Sequence, residues 1–82
     1  MNYKAFQLKV SLQLLIFRDF DTETSTPIIK IYVYWIDNEG DDRLSEETIS
    51  FENEESAKSF IVDFSEASAI KWCNKNISED EI

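Results

Sequence analysis

Carboxylate is the most concentrated chemistry in this sequence. Between Asp37 and Glu55 stand Asp37, Glu39, Asp41, Asp42, Glu46, Glu47, Glu52, Glu54 and Glu55, with Arg43 as the only base in the segment. Carboxylates do three kinds of work: paired, they exchange protons; clustered, they bind hard cations; displayed in a row, they accept the Arg and Lys hydrogen bonds otherwise made to phosphate. No pair here is set apart from the rest, so acid–base chemistry has no focus. Asp37-x-Glu39-x-Asp41 begins like a calcium-binding loop. Glycine then falls at the fourth position instead of the sixth, and the twelfth is Thr48 instead of a bidentate Glu, so the segment reads as a turn and no metal is expected. Cys73, the one thiol, has no His to activate it because the chain contains none. That absence also removes the commonest proton-transfer group and nitrogen ligand at neutral pH. The residue types thus point away from catalysis and from a cofactor, and toward the third use.

Charge segregation sharpens this reading. Of 82 residues, 17 are acidic and 8 basic, a net charge of −9, yet residues 1–18 hold Lys4, Lys9 and Arg18 and no acid. Hydrophobic residues make up 43% and there is one Gly and one Pro, so the chain is expected to fold as one domain, 1–82, with 74–82 a frayed acidic tail. One Cys excludes an internal disulfide, and the apolar run Leu14–Phe17 is too short for a leader or a membrane span, so a cytoplasmic setting is expected.

The elements that position the acids follow from periodicity. Phe6, Leu8, Val10, Leu12, Leu14 and Ile16 alternate with Gln7, Lys9, Ser11, Gln13, Leu15 and Phe17, which predicts one long strand with an apolar face. Asp19 to Thr26 is polar and aperiodic and reads as a loop. Ile28 to Ile36 is apolar on both faces and predicts a central strand, introduced by Pro27. Asp37 to Asp42, containing Gly40, predicts a turn into a weaker third strand around Glu47 to Phe51. Asn53 followed by Glu54 and Glu55 has the form of a helix N-cap with acids at the positive end of the dipole. A single helix then places Ala57, Phe60, Ile61, Phe64, Ser68 and Trp72 on one side and Val62 and Ile70 opposite. The expected fold class is α+β: an antiparallel three-stranded β-β-β-α meander with one C-terminal amphipathic helix packed on one face.

One helix leaves a sheet face open, carrying Lys9, Gln13, Lys30, Tyr32 and Tyr34 with Phe17 near one end. Lysines among aromatics can stack single-stranded bases, but a net charge of −9 opposes polyanions, so no direct nucleic-acid contact is expected. Lys30, Tyr32 and Tyr34 therefore stand as an alternative contact surface, for a second copy or a larger assembly.

In size, charge and lack of active-site chemistry, the chain resembles small acidic phage-encoded inhibitors, the anti-CRISPR and anti-restriction DNA mimics. It is similar in the same general way to immunity proteins and antitoxins that cap basic nuclease toxins. The resemblance implies a non-enzymatic, stoichiometric inhibitor acting on a protein with a basic surface, a nuclease or nucleic-acid-binding protein, in a bacterial host or phage-infected cell. No residue positions are aligned by it. From the sequence itself no membrane partner is expected, since no apolar run approaches the ~20 residues of a span, and the chain is expected to be a monomer or a homodimer.

Overall fold

The computed structural model describes residues 3–76 and shows an α+β fold with an antiparallel four-stranded sheet and two C-terminal helices. The strands are β1 (Tyr3–Gln7), β2 (Leu12–Asp21), β3 (Thr26–Asp37) and β4 (Gly40–Ser50), in the spatial order β1-β2-β3-β4. The helices are α1 (Glu54–Asp63) and α2 (Glu66–Asn76). Residues 77–82, most of the segment expected to fray, lie outside the described residues.

The expected three strands are four because the first long strand is a hairpin. Its turn, Leu8 to Ser11, leaves Val10 98% exposed, contrary to the inward position expected of it. No Gly, Pro, Asn or Asp marks this turn. The Leu8 N–H donates to the Leu12 carbonyl at 2.8 Å, the Gln7 side-chain amide to the Val10 carbonyl at 3.1 Å, and the Ile36 N–H on β3 to the Ser11 carbonyl at 2.7 Å. The pairing explains why alternation concealed it. Gln7 faces Gln13 and Phe6 faces Leu14, so partners share parity and the even-numbered apolar residues of β1 and β2 that pair across the hairpin share one sheet face, turn or no turn.

That face is the core. Leu12, Leu14 and Ile16 on β2 and Ile29, Ile31 and Val33 on β3 are buried together with Ala57 and Ile61 of α1, Phe64, and Ala69 and Cys73 of α2. Ile28 is buried as well, but its side chain belongs to the opposite face of β3 and stands apart from this cluster.

The β3–β4 turn is shorter than expected and strand β4 correspondingly longer. Asp37 pairs with Gly40 across a two-residue loop, the Asp37 carboxylate accepts the Glu39 N–H at 2.8 Å, and Gly40 adopts φ +133°. A Cβ at Gly40 would meet nothing within 4 Å, so it is the backbone angle that calls for glycine. Asp41, Asp42 and Glu46 consequently lie in a strand. A bulge opposite Val33 and Tyr34 interrupts β4 at Leu44, and the regular ladder resumes at Ser45. The ladder ends at Pro27: the Phe51 N–H reaches the Pro27 carbonyl at 2.9 Å, and proline has no N–H to return. The chain is then free to leave the sheet for α1.

Asn53 caps α1 as its position implies, its Oδ1 accepting the Ser56 N–H at 2.8 Å. The single expected helix breaks at Phe64, whose ψ of 113° is extended. Ser65 and Ser68 cap α2 reciprocally, each hydroxyl accepting the other's backbone N–H, at 3.3 and 3.1 Å. Restarting the helix turns its inner face, so Ala69 and Cys73 are buried where Ser68 and Trp72 are half-buried. Burial pushes the Cys73 thiol above its ordinary pKa, which disfavours the thiolate needed for nucleophilic chemistry.

Strand β1 locks this break in place. The Lys4 ammonium donates to the carbonyls of Val62 and Phe64, both at 2.8 Å, satisfying acceptors at the negative end of the α1 dipole. Lys4→Met is expected to cost about 1–2 kcal/mol in denaturant titration. Lys9→Met, in the exposed turn, is the control and should leave the midpoint unchanged. Equal midpoints for both variants would show that the Lys4 contact contributes nothing.

Candidate functional site

The nine clustered carboxylates are all exposed, and they fall on β4 and on the segments at its two ends. Asp37 and Glu39 belong to the β3–β4 turn, Asp41, Asp42, Glu46 and Glu47 to β4, Glu52 to the connection, and Glu54 and Glu55 to the first turn of α1. β4 is the outermost strand on this side of the sheet among the described residues. Its 11 residues span about 33 Å at ~3.3 Å per residue, against a longest molecular dimension of 38 Å. The acids on it run from Asp41 to Glu47, about 20 Å at ~3.3 Å per residue.

Register assigns each acid a side. Asp41 pairs with Ile36 and Glu46 with Tyr32, placing both on the open face; Asp42 pairs with Trp35 and Glu47 with Ile31, placing both on the helix-bearing face. Helix α1 packs over β2 and β3, and Glu47 on β4 is exposed. Carboxylates thus flank the edge from both sides. Arg43 compensates little of this charge. Its guanidinium lies 3.6 Å from the Glu46 carboxylate with both side chains about half exposed, a geometry worth less than ~1 kcal/mol in water.

The open face is the second grouping. Lys30, Tyr32 and Tyr34 share it as expected, and Phe17 joins them from β2. Phe17 and Tyr32 meet edge to face with ring centres 5.4 Å apart, and Tyr32 and Tyr34 do the same at 6.0 Å. Lys30 lies 3.9 Å from Asp19, and the Arg43 guanidinium sits 5.4 Å over the Tyr32 ring. No described element covers this face. Lys9, expected here, sits instead in the β1–β2 turn, while Tyr3, Ala5 and Gln7 of β1 extend the face past Phe17, Leu15 and Gln13. Each of these rings thus meets a neighbouring ring, and the Arg43 guanidinium lies over Tyr32. Sequence reasoning missed the role of Arg43: it bridges the two groupings, and only the bulge at Leu44 brings it opposite Tyr34.

Among the described residues, no three of Cys, Asp and Glu converge as metal ligands would, and no helix is long and apolar enough to cross a membrane. Compared with protein families, curated proteins and solved structures, the chain matches none.

Proposed function

We propose that this protein is a non-enzymatic, stoichiometric inhibitor that occupies the phosphate-binding groove of a basic nucleic-acid-handling protein. The observation that carries this reading is the band of nine exposed carboxylates along β4 and its two flanking turns. Strand β4, which carries four of the nine, is about 33 Å long, close to one turn of duplex, ~34 Å. A rigid strand fixes carboxylates without the ordering cost that a flexible acidic tail would incur on binding. Each one accepts a charge-assisted hydrogen bond from an Arg or Lys that ordinarily meets phosphate. The setting is the cytoplasm of a bacterial or phage-infected cell, and the target is either a defence nuclease or a toxin nuclease for which this chain is the immunity partner.

A second reading rests on a different observation, the uncovered aromatic cluster of Phe17, Tyr32 and Tyr34. In that reading the open face docks on an assembly and the acids are solvated exterior.

The test is competition. Proteins recovered from host lysate on the immobilised chain are identified, purified and titrated with it in the presence of duplex DNA. A partner that binds nucleic acid and is displaced by duplex supports mimicry. A partner that duplex leaves in place, at low salt and saturating concentration, rejects it.

A further inference from the structure

Strand β4 offers backbone as well as charge. Among the described residues, no backbone hydrogen bond reaches its outer side. The ladder fixes which groups point there. Because the Phe51 N–H turns toward Pro27, antiparallel alternation turns the N–H and C=O of Ile49, Glu47 and Ser45 toward β3 as well. Those of Ser50, Thr48 and Glu46 point away from the sheet. This segment lies beyond the bulge and is regular, so three residues present donors and acceptors at ~6.7 Å intervals, ready to pair with another strand.

Charge decides which strand. Glu46 and Glu47 flank this edge on opposite faces and both are exposed. A second copy pairing here would lay one acidic band along another, which like-charge repulsion disfavours. A strand bearing Lys or Arg would place its cations beside these carboxylates while its backbone completes the ladder. The other edge of the sheet, β1, contains no acid and is five residues long.

We infer that the outer edge of β4 from Ser45 to Ser50 takes up an extended lysine- or arginine-bearing segment of the target protein as a fifth strand. This deepens the inhibitor reading and rests on it: backbone pairing fixes the register, and the carboxylates select the partner.

The probe is an eight-residue peptide of alternating Lys and Val, set against the same peptide N-methylated at alternate amides, which keeps charge and removes pairing. Titration at low salt is followed by amide hydrogen exchange. The unmodified peptide is expected to slow exchange at Glu46, Thr48 and Ser50 while leaving β1 unchanged, and to bind at least tenfold tighter than the methylated form. Thr48→Pro removes one outward N–H without touching a β3 hydrogen bond, so it should weaken the peptide and preserve the unfolding midpoint. Equal affinity for the two peptides, or no protection on β4, overturns strand addition. The mimicry reading is judged separately by duplex competition: displacement by duplex without β4 protection would retain mimicry and remove the fifth strand.

Discussion

Phe64→Ala is expected to remove about 3–5 kcal/mol of stability, a large share of the ~4–12 kcal/mol available to a domain of this length. Phe64 is 6% exposed and stands at the break between α1 and α2, with its ring centre 5.9 Å from both Phe6 and Phe60. It therefore joins β1 to α1 just before α2 begins. Truncation leaves a void that none of these elements can fill without moving the others, because the Lys4 hydrogen bonds hold the break against β1. Val62→Ala, two residues earlier and 59% exposed, should cost less than ~1 kcal/mol. Comparison of the two midpoints in urea decides the matter: similar losses would mean that the helices lie on the sheet by a different face.

The second large effect is on binding. Replacing Asp41, Asp42, Glu46 and Glu47 together with Lys should weaken association with the basic partner about 100-fold or more, chiefly by slowing encounter, and should leave the fold intact. All four are exposed, so no buried partner loses its charge. For the natural protein, raising salt from 50 to 500 mM should slow association steeply, since charges farther apart than a Debye length of ~4–14 Å cease to attract. The contrasting variant changes Lys30, Tyr32 and Tyr34 to Ser. Full binding by the lysine variant would sink the mimicry reading, and loss of binding confined to the serine variant would assign the contact to the open face.

Local chemistry was legible where one residue type suffices. Asn53 before two glutamates marks a helix start, and Gly40 marks a turn, with no knowledge of the rest of the chain. The apolar composition of Ile28 to Ile36 on both faces places β3 inside the sheet, and the hidden hairpin makes β2 an inner strand as well. What escaped were features that leave no mark on periodicity. A turn whose partners share parity preserves alternation, so Leu8 to Ser11 passed as strand. The Ser65–Ser68 cap lacks the Glu or Gln of the usual box, and Phe64 fits a continuous helical face as well as it fits a break. Exposure of the acids followed from their number. Their alignment does not, because the sequence pattern starts the third strand around Glu47 and leaves Asp41, Asp42 and Glu46 outside it, and only the two-residue turn at Asn38-Glu39 brings them onto an edge.

Each strand pairs with its neighbours in sequence, which gives the sheet an order of completion matched to synthesis from the N-terminus. All three hairpins can close before residue 54 leaves the ribosome, yet Leu14, Ile16, Ile31 and Val33 have no cover until α1 and α2 follow. Throughout that interval the nascent sheet presents a bare aliphatic face. The carboxylates of β4 precede both helices in the chain, and like charge along an edge strand disfavours its pairing with a second copy. Charge along β4 thus disfavours edge-to-edge pairing of copies before the helices have covered the sheet.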